Sequence, residues 1–329
     1  MTLTPNAGYS FDMTIHTKKG VLLLNLGGPE KIEDIRPFLY NLFSDRQIIR
    51  LGPSFFQKPI AALIAWRRAP KSAVNYSQIG GGSPLRKITD QQSAALEQAL
   101  AQDGHFAVRS CMRYWQPCAK MVLTQLVAEG VKEIIALPLY PHYSIATSGS
   151  SFSDLERTSK KMGLTLNIKK IHSWPAQPQY IDSLATKIKE GILTFAGEKV
   201  EIVYSAHSLP VRFINEGDPY VDDLQKTITA LEQQTGRKGH LCYQSRSGPV
   251  EWLGPSTPET IKKLAQAKCK NLLIVPISFV SDHVETLYEL DIQYRKLAED
   301  LGMGYKVTSG LNTEPLFIEG LRQLVLKNS

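Results

Sequence analysis

Four short segments of this 329-residue chain are apolar at consecutive positions, and they constrain its fold more than anything else in the sequence. They are Gly20-Val21-Leu22-Leu23-Leu24-Asn25-Leu26, Glu133-Ile134-Ile135-Ala136-Leu137-Pro138-Leu139-Tyr140, Val200-Glu201-Ile202-Val203-Tyr204-Ser205 and Asn271-Leu272-Leu273-Ile274-Val275-Pro276-Ile277. A strand with one wet face alternates apolar and polar residues. An unbroken apolar strand is buried on both faces, as in a parallel sheet covered by helices. Helical spacing recurs between these runs, over 89–101, 118–130, 183–195, 221–236 and 257–267. Thr257-Pro258-Glu259 reads as a helix start, with an N-cap, a proline in the first turn and then an acid. The rhythm predicts an open, doubly wound α/β architecture. Strand, helix, strand and polar loop occur once in the first 150 residues and again after 195, so two similar halves are expected, with a hinge around Ser173-Trp174-Pro175.

Composition excludes several classes. Hydrophobic residues make up 43% and charged residues 21%, a globular balance. Thirty-eight Lys and Arg against 31 Asp and Glu give a net charge of +7. That charge suits an anionic ligand, an anionic membrane surface or nucleic acid without choosing among them; the lack of a basic low-complexity block argues against a disordered nucleic-acid tail, and nucleic acid is not an expected partner. Cys111, Cys118, Cys242 and Cys269 form no C-x-x-C pair, which argues against a disulfide scaffold or a zinc ribbon. Residues 1–19 lack the apolar core of a signal peptide, and no run of 18 apolar residues occurs, so a cytoplasmic location is expected.

In an open α/β sheet, ligands bind beyond the carboxyl ends of the strands. The first strand ends in Gly27-Gly28-Pro29, which permits close backbone approach but is not a dinucleotide fingerprint. The strand at 200–205 runs into Ala206-His207-Ser208-Leu209-Pro210, where an imidazole can accept a proton, ligate a metal or serve as a structural hydrogen-bonding group. The last apolar strand leads to Ser281-Asp282-His283-Val284-Glu285, then Glu289. Glu285 and Glu289 are four apart, so a helix stacks them on one face. That face is either a solvated acidic surface or a cation site. With His207 it offers mixed N/O ligation suited to a first-row divalent ion. Trp66-Arg67-Arg68 and Lys71 follow the apolar stretch 55–64, which fits a membrane surface or an amphiphilic carboxylate.

At these residues the chain resembles the ferrochelatases, which insert Fe²⁺ into a porphyrin. The likeness rests on nine collinear motifs over about residues 20–320. They are Leu24-Asn25-Leu26-Gly27-Gly28-Pro29, Tyr76 with Ile79-Gly80-Gly81-Gly82-Ser83-Pro84, Arg113-Tyr114, Tyr140-Pro141-x-Tyr143-Ser144, Ser205 to Pro210, Gly217-Asp218-Pro219-Tyr220, Tyr243-Gln244-Ser245, Trp252-Leu253-Gly254-Pro255, and Ser281 to Glu289. The resemblance implies two Rossmann-like halves, each a parallel β-sheet flanked by helices, with the active-site cleft between them. The expected division is 18–170, carrying the apolar lip, and 171–329, whose last helix packs back on the first half. His207 and Glu285 are implied as the catalytic and metal-binding pair, with Asp282, His283 and Glu289 as a secondary proton path. Leu26, Arg113, Tyr140 and Trp252 are implied around the porphyrin, and Arg68, Lys71, Tyr76, Ser83 and Ser245 near its propionates.

The closer likeness is to the animal and Gram-negative type, which implies protoporphyrin IX rather than coproporphyrin III. It also implies peripheral contact of the lip with the inner face of the membrane. Gln293 stands where the family often has a third carboxylate, and Ile145 where animal members have a cluster-ligating cysteine. No [2Fe–2S] cluster and no other tightly bound cofactor is therefore expected, with Fe²⁺ as substrate and the chain a monomer or weak homodimer. Competing readings are a cobalt or nickel chelatase, which would carry more histidines, and a non-catalytic porphyrin carrier, which would not need Glu285 and Glu289.

Overall fold

A computed structural model describes residues 18–329, so the reading of 1–19 lies almost wholly outside the described residues. The first half contains β1 (Lys19–Asn25), α1 (Ile35–Ser44), α2 (Gln57–Ser77), α3 (Leu85–Leu100), β2 (Phe106–Met112), α4 (Ala119–Ala128), β3 (Glu133–Pro138), α5 (Ser150–Lys161) and β4 (Asn167–Lys170). The second contains α6 (Pro178–Leu193), β5 (Glu201–His207), α7 (Val211–Asn215), α8 (Tyr220–Thr235), β6 (Gly239–Gln244), α9 (Thr257–Gln266), β7 (Asn271–Pro276), α10 (Arg295–Asp300), β8 (Gly304–Val307) and α11 (Pro315–Lys327). Two π-helical segments, Ile145–Gly149 and Glu285–Tyr294, lead into α5 and α10.

The strands form two four-stranded parallel sheets, ordered β2-β1-β3-β4 and β6-β5-β7-β8. The permutation is the same in both, and the register is too. Leu24 of β1 lies opposite Pro138 of β3, and Ser205 of β5 opposite Pro276 of β7. The next amides, Leu139 and Ile277, donate to the carbonyls of Leu24 and Ser205 at 2.9 and 3.0 Å. Two residues beyond Leu24 and Ser205 come Leu26 and His207, which therefore occupy equivalent positions in the two halves. Each sheet reverses its winding between the paired central strands, which puts a crevice at those strand ends.

Alternation along the central strands assigns their two faces. Leu22 and Leu24 join Val122, Leu126 and Phe152 under α4 and α5. Val203, Leu272 and Ile274 pack with Ile261, Leu290 and Ala298 on the outer side of the second sheet. The other faces, Val21 and Leu23 of one sheet and Tyr204, Leu273 and Val275 of the other, belong to a single core shared with Leu96, Leu184, Leu224 and Phe317 from α3, α6, α8 and α11. The crossover near residue 174 is part of that core. Trp174 is 4% exposed, its indole donates to the Pro138 carbonyl at 2.9 Å, and its ring meets Tyr180 edge-on. Arg322 of α11 donates to Asp103, just beyond α3, at 2.7 and 2.6 Å. Buried Gln92 of α3 donates to Ser281 and to the Asn312 carbonyl at 3.0 and 2.7 Å. No helix among the described residues is long and apolar enough to cross a membrane.

Two glycine turns of the first half dock on each other. The Ser83 amide donates to the Pro29 carbonyl at 2.7 Å, and a Cβ on Gly28 would meet the Ser83 side chain at 2.7 Å. A Cβ on Gly82 would lie 2.0 Å from the Glu30 carbonyl oxygen, so a side chain there requires the backbone to move. Overpacking of this kind costs about 1–3 kcal/mol or more. Gly82→Ala is expected to lower the midpoint of urea unfolding accordingly, and a midpoint equal to the parent's would show that the turns are free to separate.

Candidate active site

A cavity of about 950 Å³ opens at the carboxyl ends of both sheets. Its walls differ in chemistry. Phe38, Leu39, Leu42 and Phe43 of α1 supply an apolar wall, because residues four apart on a helix share a face. Arg67, Arg68 and Lys71 of α2 and Arg246 beyond β6 supply cations, and Glu285 and Glu289 supply carboxylates. Leu26, Tyr76, Ser83 and Ser245 also line it. Arg68 joins the halves at this wall, with its guanidinium 5.4 Å from the Phe43 ring centroid and hydrogen-bonded to the Ser247 hydroxyl.

His207 ends β5, and Glu285 opens the π-helical segment after β7, the neighbouring strand. The parallel pairing of β5 with β7 brings them together, with His207 Nδ1 2.9 Å from Glu285 Oε2. The His207 amide donates to Ser278 Oγ at 2.9 Å, and its carbonyl accepts from Tyr220 at 2.9 Å, so the backbone on both sides is pinned. Gln244 at the end of β6 donates a second bond to Glu285 Oε2 at 3.1 Å, and its own oxygen is held by Ser205 at 2.7 Å. Burial works to lower the pKa of His207, but the charge and hydrogen bond of Glu285 outweigh it and hold the imidazole above its ordinary value. Burial would raise Glu285, but His207 and His283 hold it well below the usual carboxylate range.

The neutral tautomer of His207 follows from these contacts. A carboxylate only accepts, so Nδ1 carries the proton and Nε2 keeps its lone pair. The same logic applies to His283. Its Nδ1 is 3.0 Å from the Ser281 carbonyl and must donate, so Nε2, 3.8 Å from Glu285 Oε2 and without a hydrogen-bond partner, is bare in the neutral ring and supports the carboxylate only in the protonated one. The Phe279 ring lies edge-on to both imidazoles, 5.9 Å from His207 and 4.3 Å from His283. Tyr76 faces the same carboxylate, and burial together with the charge of Glu285 pushes its phenol well above the ordinary range.

Other sequence-predicted residues lie elsewhere. Asp282 accepts from the Gly310 amide at 2.9 Å and from Asn312 at 2.8 Å, which ties the segment after β7 to the loop before α11. Arg113 pairs with Asp45 at 2.7 Å and donates to Ser150 at 2.7 Å, lining a separate cavity with Asn41, Gln47 and Arg157. Tyr140 is 2% exposed with an unpartnered hydroxyl, and Trp252 is half-buried, bridging to Pro210. Neither lines the 950 Å³ cavity. Sequence reasoning missed the α1 wall, although the i, i+4 pairs Phe38/Leu42 and Leu39/Phe43 announce it. It also missed Tyr294, whose hydroxyl donates to Glu289 Oε1 at 2.5 Å.

Comparison with known proteins matches the fold and the whole described chain. The ferrochelatase family model covers residues 18–329. A ferrochelatase of Desulfotalea psychrophila is 58% identical over 310 residues, 94% of this chain and 97% of that one. One from Geotalea uraniireducens is 50% identical over 313 residues, 94% and 98% of the two chains. Among solved structures, the sirohydrochlorin chelatase SirB of Bacillus subtilis subspecies spizizenii, in complex with cobalt, has a TM-score of 0.53 at 11% identity over 94% of this chain and 95% of that chain. CbiX, the terminal enzyme of sirohaem biosynthesis in denitrifying bacteria, has a TM-score of 0.54 at 9% identity over 95% and 99%. These two share the fold. With the family match spanning both sheets and close relatives along nearly the full length, the chain belongs to the ferrochelatase family, enzymes that insert iron into a porphyrin.

Proposed function

We propose that the porphyrin substrate is protoporphyrin IX, that His207 accepts its pyrrole protons, and that Glu285 ligates Fe²⁺ or passes the protons on. The observation that carries this reading is the 2.9 Å bond from His207 to Glu285 at the wall of a cavity that is basic on one side and apolar on another. Insertion releases two protons as two pyrrole N–H bonds give way to bonds with iron. The bare Nε2 of His207 accepts them one at a time, made more basic by the adjacent carboxylate, and the Nδ1–H that faces Glu285 gives the first proton up before the second is taken. Fe²⁺ arriving at Glu285 cancels the field that holds the proton on His207, so metal arrival and proton release are coupled. Arg67, Arg68, Lys71 and Arg246 complement propionates. The α1 wall favours the vinyl and methyl edges of protoporphyrin over the four propionates of coproporphyrin.

Anaerobic Fe²⁺ or Zn²⁺ insertion, followed by porphyrin absorption and fluorescence, tests this. Protoporphyrin IX is expected to turn over faster than coproporphyrin III, and the reverse order would assign the other substrate. His207→Ala is expected to lower kcat by roughly 10²–10⁴-fold, the usual contribution of a positioned base. Near-normal turnover would remove His207 from that role.

The pH dependence has a definite sign. Glu285 raises the His207 pKa against burial, so Glu285→Gln leaves only the smaller pull of Glu289 to oppose burial and the pKa falls. Histidine ring NMR of the free protein is expected to show the His207 titration moving to lower pH in Glu285→Gln. No movement, or a rise, would mean that the carboxylate does not control the base.

The lip supports a peripheral membrane contact. Phe55, Phe56, Leu63 and Trp66 are 71%, 49%, 52% and 59% exposed around the start of α2, and Arg67 follows them. Aromatic residues beside cations suit an anionic bilayer surface. Phe55→Ser with Trp66→Ser is expected to weaken cosedimentation with anionic lipid vesicles at least tenfold, since burying one large apolar side chain is worth about 1.5–3 kcal/mol. Equal sedimentation of parent and variant would exclude the lip as the contact.

A further inference from the structure

Glu289 sits one turn beyond Glu285 and faces the same cavity, where a free carboxylate would attract iron. Its oxygens are already engaged. Oε1 accepts from the Ser245 amide at 2.9 Å and from Tyr294 Oη at 2.5 Å, and Oε2 accepts from Ser245 Oγ at 2.5 Å. Ser245 has φ +65°, a left-handed conformation that costs a non-glycine residue free energy unless its surroundings impose it. Both of its polar donors end on Glu289. Burial and the neighbouring carboxylate raise the Tyr294 phenol far above its ordinary value, so that group stays a donor. The preceding residue, Gln244, is tied to Glu285 in the same way. Consecutive residues at the end of β6 are thus fastened to successive carboxylates of the π-helical segment, and the next two, Arg246 and Ser247, line the cavity.

We propose that Glu289 is a positioning residue for porphyrin binding: its carboxylate clamps Ser245 in the left-handed conformation that aims Arg246 and Ser247 at the cavity, and it does not ligate iron. The proposal rests on the reading of the cavity as the porphyrin site. It replaces the role in a proton or metal path that the spacing of Glu285 and Glu289 suggests.

Steady-state kinetics with both substrates varied, on Glu289→Ala, Glu289→Gln and Tyr294→Phe, separates the two roles. Loss of a charge-assisted clamp is expected to raise the porphyrin KM about tenfold in Glu289→Ala, with kcat and the Fe²⁺ KM within about threefold of the parent. Glu289→Gln keeps an acceptor and is expected to recover part of the loss. Tyr294→Phe, which removes no metal ligand, is expected to shift the porphyrin KM in the same direction. Hydrogen exchange at amides 245–251 is expected to quicken in Glu289→Ala. A raised Fe²⁺ KM or a lowered kcat in Glu289→Ala, with the porphyrin KM unchanged, would overturn the proposal. So would an unchanged porphyrin KM in Tyr294→Phe, which decides the matter if Glu289→Ala does not fold. A parent protein without porphyrin turnover would count against the parent reading alone, because hydrogen exchange still reports on the clamp.

Discussion

The carboxylate of Glu285 is taken largely out of water next to an imidazole, and the surrounding structure is arranged around that fact. Removing a charge from water costs several kcal/mol unless partners replace the solvent. Here two donors replace it, His207 on β5 at 2.9 Å and Gln244 on β6 at 3.1 Å, with the His283 ring of the loop after β7 standing 3.8 Å away. Each lies at the carboxyl end of a strand of one sheet or just beyond it. The strand order β6-β5-β7 is therefore a condition for the site, because a different permutation would separate the imidazole from its carboxylate.

The strands that the sequence revealed and those it hid are distinguished by position in the sheet. β1, β3, β5 and β7 are interior strands, covered on both faces, and their apolar runs are continuous. β2, β4, β6 and β8 are edges. They carry Arg109, Lys169 and Lys170, His240, and Lys306, because an edge with polar side chains resists pairing with another chain. No continuous apolar run marks such a strand. The five helices read from periodicity correspond to α3, α4, α6, α8 and α9. α1 and α2 escaped because α2 exposes several of its apolar residues and α1 turns apolar side chains toward the cavity as well as the core, which blurs a single stripe.

The site divides along similar lines. His207 and Glu285 were legible from the rule that chemistry gathers beyond strand ends, and Leu26, Arg68, Lys71, Tyr76, Ser83 and Ser245 from the family resemblance. All of these except His207 line the cavity, and His207 is bonded to its wall. What the sequence left out is hydrogen-bond commitment. Spacing put Glu285 and Glu289 on one face, but it carried no sign that Glu289 already serves three donors or that Asp282 braces a distant loop. Except for the bond from Tyr294, five residues on, those facts depend on contacts between residues more than 25 apart in the chain.

The shared register of the two sheets gives the first half a particular status. Leu26 occupies at the end of β1 the place that His207 occupies at the end of β5, and a π-helical turn follows the partner strand in each half. At this position the first half is an aliphatic copy of the second, with the same strand-end geometry but a leucine side chain in place of the imidazole. The charge that the first half brings to the cavity comes instead from a helix away from its strand ends, through Arg67, Arg68 and Lys71 of α2. One backbone pattern, used twice, thus ends in an imidazole at one strand and in a branched aliphatic chain at its counterpart.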